Sequence, residues 1–510
     1  MYLCSRIIEI MAHAQNDKGI FVVSFPLQTE KWQEDRIDKM LRILSVLYRD
    51  KQEALLKRYI HLSHSPEFKE KKEECRKKAK GATGVFQKFM ADNGFSEYGI
   101  GAFFSQSDKR DTATNEQLVS HGLNSSIIQY LSQSAWKAWE KKLFENGKNI
   151  HPEKDICILK SRKKSGYIIG FEYSFSDFHI RMYAQKPKRH MLFEIPFEVN
   201  RTSEYELFAM QQEVRNIAIT RQEIRGKHKY YVQFSFAGKP YNKGRALGTG
   251  VVGIDPGPSK MAIVGENRIL LTRLADGIEE DERKTALLRR KLDRSKRATN
   301  PEMFNEDGTI KKGVRQSVFS GHYKRTRAEL AEAQRKLAAK RKIAHNQLAN
   351  EVLAMGNEFR VEKNTFAGMQ RRAKEGKQNA QGKNLSKKRF GKSLKEHAPS
   401  EFLAILKNKV EQYPEGRYVE IPASMACTQF DFTNGEFTKH ELKERTIRTS
   451  DGRRHDRDAL AAFNVKHARL DRVEERKKMG KDKENFDNEQ MTSSYERFCQ
   501  MEKDTLSHSE

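Results

Sequence analysis

Residues 248–470 alternate between short apolar segments and helical patterns, and this order constrains the fold more than any other feature of the sequence. The segment VVGIDPGPSKMAIVGENRILLTRL predicts three successive short strands, because turn residues interrupt its apolar runs. Leucines at helical spacing follow it. The remaining elements are a strand at 358–362, a helix at 399–413, a strand at 416–422 and a helix at 458–470. Three strands, helices, then strand, helix, strand and helix indicate an α/β domain.

An acidic residue stands at the end of three of these elements. Asp255 ends the first strand before a Pro-Gly turn, Glu362 ends the strand FRVE, and Asp458 opens the last helix within Asp-Arg-Asp. Taken singly, each has an ordinary explanation as a turn residue, a strand end that meets water, or a helix N-cap. Taken together, they stand where the RNase H-like fold, which has this element order, places the three points of one site. The sequence therefore predicts an RNase H-like domain with a carboxylate cluster.

Such a cluster predicts a site for hard divalent cations. Mg²⁺ prefers oxygen ligands in octahedral geometry, and three unpaired acids would otherwise repel one another. Two ions about 3.5–4 Å apart can activate water and stabilise the leaving 3′ oxygen of a phosphodiester. Ala461 and Ala462 are small enough for the last helix to approach the sheet. We expect Asp255, Glu362 and Asp458 to be catalytic and metal-binding, with two Mg²⁺ ions that Mn²⁺ can replace.

The sequence around these acids resembles a known nuclease family. GIDPGPSKMAI, VEKNTFAGMQ and HDRDALAAFNV are similar to the three RuvC motifs of the TnpB nucleases and of their descendants, the type V CRISPR effectors, above all the compact ones. Residues 320–353 resemble the basic helix before the second motif, and 398–422 resemble the helix and strand after it. The resemblance implies that Asp255, Glu362 and Asp458 are the three catalytic acids. Asp456 is the alternative third acid, and otherwise it caps the helix.

The first half of the chain changes from strand to helix and back. Residues 19–27 alternate in hydropathy, residues 31–150 have helical spacing, and strands return over 151–247. This predicts a multidomain α+β protein in which a helical domain, 31–150, is inserted into a β-module made of 1–30 and 151–247. The resemblance implies a wedge domain with an OB-like barrel and a recognition domain that reads a short duplex motif beside the target.

Positive charge is the main compositional feature. Lys and Arg number 96 against 69 Asp and Glu, which gives a net charge of +27. An excess of this size predicts a polyanionic partner, with nucleic acid the leading candidate. The tail, 471–510, is acidic and shows no evident apolar periodicity, so we expect it to be mobile. The positive charge then lies in the preceding domains.

The cysteines bear on both the compartment and the metal content. The five cysteines are scattered without a CxxC pair, which indicates a reducing compartment such as the cytoplasm, and no apolar run is long enough to span a bilayer. The family usually carries two CxxC pairs in a zinc ribbon, but residues 423–455 contain only Cys427. We therefore expect a degenerate hairpin and no structural zinc. Arg445 and Arg448 are candidates for the assisting arginine of that ribbon.

Several basic segments are candidates for nucleic-acid contact. Residues 371–398 hold ten Lys and Arg against two acids, which fits either a solvated loop or a basic lid over the site. The expected contacts are Lys387, Lys388 and Arg389 in that segment, Arg325, Arg335 and Lys336 in the basic helix, and Arg457 beside the third acid.

The resemblance, supported by the carboxylate cluster and the positive charge, implies an RNA-guided DNA endonuclease with a single RuvC site. A guide RNA and a target double-stranded DNA would be held through their phosphates, while base pairing reads the sequence. Two alternatives stay open: a guide-dependent DNA-binding repressor without cleavage, which the missing ribbon mildly favours, and an unguided RNase H-like resolvase or transposase. Since some compact relatives work as dimers on one RNA, a homodimer is a further alternative to a monomer.

Overall fold

The computed structural model shows a mixed α+β protein with several sheets. It describes residues 19–77, 82–105, 118, 121–145, 147, 149–184, 189–306, 308–311, 313, 317–371, 390–441, 444–475 and 480–507. The chain divides into two compact units, Met1–Gly244 and Arg245–Glu510. In the ranges just given, no helix combines the length and the apolar character needed to cross a membrane.

Two antiparallel sheets form the β part of the first unit. The strands are β1 (Ile20–Pro26), β2 (Ile158–Lys164), β3 (Tyr167–Ile168), β4 (Phe171–Ser174), β5 (His179–Ala184), β6 (His190–Pro196), β7 (Val214–Ile224) and β8 (Lys227–Ala237). One sheet has the order β1-β8-β7-β2-β3 and the other β4-β5-β6. Since β1 pairs with β8, for example Phe25 with Val232, strands from both sides of the helical segment belong to one sheet.

Helices fill the sequence between β1 and β2. They are α1 (Lys31–Ser63), α2 (Pro66–Arg76), α3 (Ala82–Asp92), α4 (Glu97–Ser105) and α5 (Ser125–Phe144), and α6 (Glu204–Met210) follows β6. Asn124 caps α5, because its side chain accepts hydrogen bonds from the N–H groups of Ser126 and Ile127. Buried side chains of these helices and of both sheets belong to one continuous hydrophobic cluster.

A five-stranded mixed sheet organises the second unit. Its strands are β9 (Val251–Pro256), β10 (Lys260–Val264), β11 (Ile269–Arg273), β12 (Glu358–Lys363) and β13 (Arg417–Pro422), in the order β11-β10-β9-β12-β13. The first three form the antiparallel meander that the sequence predicts, whereas β12 runs parallel to both β9 and β13. Parallel neighbours require long crossover connections, and helices supply them here.

Helices lie on both faces of this sheet. α7 (Glu279–Thr299) and α8 (Gly321–Leu353) precede β12, and α9 (Phe366–Met369), α10 (Gly391–His397) and α11 (Pro399–Val410) precede β13. Side chains of α8 and α11 pack on one face, around Val252, Ile254 and Phe359. The other face packs against α12 (Arg457–Lys466) and α14 (Asn488–Ser507). Both faces are therefore buried, as is usual for parallel strands.

Short hairpins connect β13 to α12. Strands β14 (Phe430–Asp431) and β15 (Glu436–Phe437) form one, and β16 (Thr446–Arg448) and β17 (Arg454–Asp456) form the other. They occupy the region where the sequence predicts a degenerate ribbon. A short helix, α13 (Leu470–Glu475), follows α12.

The expectation of a mobile tail over 471–510 is wrong for the portion that the structure describes. Residues Asn488–Ser507 form α14, whose buried side chains include Met491, Tyr495, Phe498 and Cys499. The tail contains few apolar residues, but these recur at helical spacing and cover one face. The ring of Phe498 packs on that of Phe463 of α12, with centroids 4.6 Å apart.

Candidate metal centre

Two of the three predicted acids lie on adjacent parallel strands. Ile254 of β9 is opposite Val361 of β12, so the next residues, Asp255 and Glu362, follow at the same level of the sheet. Just beyond them, the Asn364 side chain donates a hydrogen bond to the carbonyl of Pro256 at 2.7 Å. The strand pairing and this bond together hold the two carboxyl groups at one edge.

The two carboxyl groups influence each other strongly. Burial raises the pKa of Asp255 well above its ordinary value, and the negative charges of Glu362 and Asp458 raise it further. Burial also raises the pKa of Glu362, which is only 6% exposed and shares a hydrogen bond with Asp255. Carboxyl groups that hydrogen-bond to each other share a proton, and a bound cation relieves the same repulsion. This pair therefore suits a divalent cation.

Asp458 reaches the cluster from the first turn of α12. Its Oδ1 accepts from Nη2 of Arg457 at 2.7 Å, and its Oδ2 accepts from Nη1 of Arg445 at 3.2 Å. The Asp458 side chain is 26% exposed, and its charge contributes to the raised pKa of Asp255. The third acid thus lies near the pair, with its own charge balanced by two arginines.

The structure distinguishes the two aspartates of Asp-Arg-Asp. Asp456 is the N-cap of α12, since its Oδ1 accepts from the backbone N–H groups of Asp458 and Ala459, both at 2.9 Å. This is the capping role that the sequence allows for Asp456. Asp458 is consequently the member of this motif whose side chain is available to the cluster.

The close approach of α12 to β9 depends on a glycine that the sequence analysis missed. A β-carbon at Gly253 would lie 2.1 Å from the carbonyl oxygen of Ala462. Ala461 and Ala462 are 1% and 0% exposed, so the prediction that small residues let this helix approach the sheet is confirmed. A glycine inside a strand often marks such close backbone contact, and that signal was present in VVGID.

The other end of α12 is also fixed to the sheet. Nη1 of Arg360, on β12, donates to the carbonyls of Lys466 and Ala468, both at 2.7 Å. Asn464 donates from Nδ2 to the carbonyls of Cys427 and Phe430, both at 2.8 Å, and so connects α12 to β14 and to the turn before it. The helix that carries the third acid is therefore held at several points.

Cys427 lies beside the carboxylate pair. It is fully buried, and burial raises the pKa of its thiol well above the ordinary value, with further contributions from the charges of Glu362 and Asp255. The thiol is therefore held in its neutral form. It packs in the hydrophobic cluster that contains α12 and α14.

The donor set of Asp255, Glu362 and Asp458 fits hard cations. Burial and the charges of Glu362 and Asp458 all act on Asp255, so the three carboxyl groups belong to one electrostatic cluster. Carboxylate oxygens of this kind are the ligands that hard divalent cations prefer. The three acids are therefore suited to a pair of Mg²⁺ or Mn²⁺ ions.

A tighter cluster of potential ligands lies in the first unit. Within the described ranges, Asp177, His179 and Glu194 are the group whose ligand atoms all lie within 4.8 Å of one another. Arg181 already contacts both acids, with Nη2 at 3.0 Å from Asp177 and 2.5 Å from Glu194. This cluster is an ion-pair network around an arginine. The three acids of the second unit are spread more widely than this group.

The residues expected to contact nucleic acid have different environments. Arg325, Arg335 and Lys336 are exposed on α8, and Arg335 forms two 2.8 Å hydrogen bonds with Glu332. Arg457 is only 12% exposed and is directed to Asp458, so it supports the third acid. Lys387, Lys388 and Arg389 lie outside the described residues, as does most of the segment expected to be a lid.

A basic face on α7 was not singled out from the sequence. Its members are Arg283, Lys284, Arg290, Lys291 and Arg294, all exposed. They line a groove beside α8 together with Leu287, which is 55% exposed. Among the residues that the structure describes, these five cations have no ion-pair partner. The spacing RKTALLRRKLDR carries the signal, because residues three, four and seven apart share one helix face.

No protein-family model matches the chain. No curated protein matches it either. Among solved structures, it is similar to a Cas12f1–sgRNA–target DNA complex, with 12% identity, coverage of 88% of this chain and 98% of that one, and a TM-score of 0.47. A CRISPR-Cas12f ternary complex is 13% identical, with 88% and 98% coverage and a TM-score of 0.28. The mini-RNA-guided endonuclease CRISPR-Cas phi3 is 10% identical, with 56% and 57% coverage and a TM-score of 0.29. At these values the likeness assigns no role to any residue of this chain.

Proposed function

We propose that the chain is an RNA-guided DNA endonuclease of the TnpB-like, compact type V class, and that its second unit is an RNase H-like RuvC domain. The observation that carries the proposal is the meeting of Asp255 and Glu362 at the ends of parallel strands, with Asp458 beside them on α12. The strand order, in which a three-strand meander precedes two parallel strands, supports an RNase H-like sheet. The motifs that resemble the family contain these same acids.

Each residue of the site has a distinct part in the proposed reaction. Asp255 and Glu362 would hold the cations from adjacent strands, and Asp458 would hold them from the first turn of α12. Bound Mg²⁺ would activate water and stabilise the leaving 3′ oxygen. Arg457 keeps Asp458 oriented from a mostly buried position. Arg445, whose side chain is 65% exposed, is free to move from Asp458 to a phosphate of the substrate.

The charge distribution supports a nucleic-acid partner. The net charge is +27, and the basic face of α7 presents five cations that form no ion pair with the described residues, in a groove that also contains Asp293 and Glu329. Such cations release counterions when they bind phosphates. We assign these contacts to the backbone of a guide RNA and its heteroduplex with the target strand, where base pairing would read the sequence. The first unit is assigned to the duplex motif beside the target.

A guide-dependent repressor is the second candidate function. It is favoured by the two arginines that neutralise Asp458, because a carboxylate held this way is less available to a cation. A repressor would bind guide RNA and target DNA without cutting. The two functions therefore differ only in whether the bound target DNA is cut.

The test is purification of the full-length chain from cells that express its own locus, followed by sequencing of co-purified RNA. The RNA complex is then incubated with Mg²⁺ and DNA that matches the guide. We expect cleavage, and none with the variant Asp255→Ala, which should retain the RNA. Bound but uncut DNA would indicate the repressor, and protein free of RNA would indicate an unguided RNase H-like enzyme. The mass of the complex distinguishes a monomer from a homodimer.

A further inference from the structure

The backbone that leads to Asp458 is held by a carboxylate from the last helix. Glu502 of α14 is only 3% exposed. Its Oε1 accepts from the backbone N–H of Asp456 at 2.7 Å, and its Oε2 is 2.7 Å from Nδ1 of His455. Both oxygens therefore contact β17, at the strand end from which α12 begins. Because a buried carboxylate is costly unless it is hydrogen-bonded, these bonds specify its position closely.

His455 extends this contact to a second residue of α14. His455 is 2% exposed, and its Nε2 lies 2.8 Å from the hydroxyl of Tyr495. That hydroxyl donates to Oδ2 of Asp451 at 3.0 Å. Each ring nitrogen of His455 therefore has a partner on α14, Glu502 at Nδ1 and Tyr495 at Nε2. The network runs without an unpartnered member from Glu502 through His455 and Tyr495 to Asp451.

The network is linked to Asp458 through the backbone between Asp456 and Asp458. Asp456, whose N–H is held by Glu502, is also the N-cap of α12, and Asp458 follows two residues later. A shift of Asp456 would therefore move the cap and the first turn together. Arg453 adds one more bond to α14, from Nη2 to Glu496 at 2.6 Å.

We propose that Glu502 is a positioning residue, through which α14 fixes the start of α12 so that Asp458 faces Asp255. The proposal rests on the proposed metal centre for its functional meaning, and on the contacts above for its structural part. A helix near the end of the chain would thus control the geometry of the site without contacting a substrate. Residues that orient ligands in this way typically change metal affinity by about ten- to a hundredfold when they are replaced.

The variant Glu502→Gln tests the proposal with little change in size. The carboxylate uses a different oxygen for each partner, so in the amide an NH₂ group replaces the acceptor that faces either His455 or the N–H of Asp456, and the negative charge is lost. Glu489→Gln is the matched control, because it makes the same chemical change at an exposed position of the same helix. Tyr495→Phe is a second test, since it removes the hydroxyl and leaves Nε2 of His455 without that partner.

Two measurements on the full-length protein decide the outcome. Amide hydrogen exchange without divalent cations reports opening of residues 454–460, and Mn²⁺ titration followed by electron paramagnetic resonance reports the metal site. In Glu502→Gln we expect exchange over 454–460 to be at least about tenfold faster, with β9 and α8 unchanged. We also expect Mn²⁺ affinity to fall by about ten- to a hundredfold. Tyr495→Phe should change both in the same direction, and Glu489→Gln should match the wild type.

Wild-type exchange and wild-type Mn²⁺ affinity in Glu502→Gln would overturn the proposal. Faster exchange in every peptide would overturn it too, because that pattern means a general loss of stability. If the wild-type protein itself binds no Mn²⁺, the metal centre proposed above is wrong. In that case faster exchange confined to 454–460 still supports the positioning role, and its absence overturns it.

Discussion

Gly253 of β9 lies directly beneath Ala462 of α12, so near that a β-carbon at position 253 would come within 2.1 Å of the Ala462 carbonyl oxygen. This contact sets the distance between the helix that carries Asp458 and the strand that carries Asp255. Two small side chains on the helix and a missing one on the strand are needed for it. The geometry of the acid cluster therefore depends on residues that have no chemistry of their own.

Gly253→Ala should destabilise the second unit and displace Asp458. Overpacking of this kind costs about 1–3 kcal/mol, and backbone atoms on both sides leave little room for relaxation. The free energy of unfolding, measured with urea, should fall by at least about 1 kcal/mol. Gly321→Ala is the matched control, since nothing lies within 4 Å of a β-carbon at that position. Equal stability of the two variants would contradict the close approach of α12.

The stability of the cation-free protein should fall as the pH rises above the ordinary carboxyl range. The pKa values of Asp255 and Glu362 are raised in the folded state, so the folded protein binds more protons than the unfolded chain there. Their contribution to stability is present at low pH and is lost as the pH passes their folded values.

Urea unfolding in EDTA at pH 5 and pH 8 measures this effect. Asp255→Asn should reduce the loss between the two pH values, since an amide does not ionise, whereas exposed Asp276→Asn should leave it unchanged. Mg²⁺ should restore stability at pH 8 in the wild type. An identical pH dependence in the wild type and in Asp255→Asn would contradict the raised pKa of Asp255.

Arg445→Ala should slow DNA cleavage by about ten- to a hundredfold. A hydrogen bond to a charged group contributes about 1.5–3 kcal/mol, and the proposed role of Arg445 is to contact a substrate phosphate. Arg454→Ala is the control, because Arg454 is an exposed arginine of the same hairpin with no assigned role. Single-turnover cleavage rates with saturating Mg²⁺ compare the two. Equal rates would rule out the assisting role of Arg445.

The basic face of α7 should contribute to the salt dependence of RNA binding. The double variant Arg290→Ala/Arg294→Ala should bind RNA more weakly and should lower the slope of log affinity against log salt by about 0.7–0.9 for each lost phosphate contact. Lys439→Ala/Lys503→Ala removes the same charge from exposed positions elsewhere in the unit. The melting temperature should be unchanged in both. If the two double variants have the same slope, α7 does not contact the RNA.

Local patterns were sufficient to predict much of the second unit. The meander, β12, α11, β13 and α12 all lie close to their predicted ranges, because apolar periodicity and turn residues act over a few positions. Asp255 and Glu362 were predictable as neighbours for the same reason, since parallel strands that start in register end at one edge. In the first unit, the strand at Ile20–Pro26 and the cap at Asn124 follow from equally local signals.

Other features required contacts between distant parts of the chain. The tail is acidic and poor in apolar residues, yet α14 docks because the face with Tyr495 and Phe498 meets α12. The sequence suggests that Arg457 contacts nucleic acid, but in the folded chain its guanidinium donates to the carboxylate of Asp458. Composition describes a segment by itself, whereas burial depends on the surface that the segment meets.

The order of the elements and the positions of the acids along them follow from local sequence patterns, because strand and helix periods and turn residues are properties of short segments. Which aspartate caps α12 and which one faces the cluster was settled by the three-dimensional fold. It also brought Glu502 to His455, 47 residues away, and Gly253 to Ala462. These pairings depend on how closely packed surfaces fit in three dimensions, and no local pattern in the chain encodes that fit.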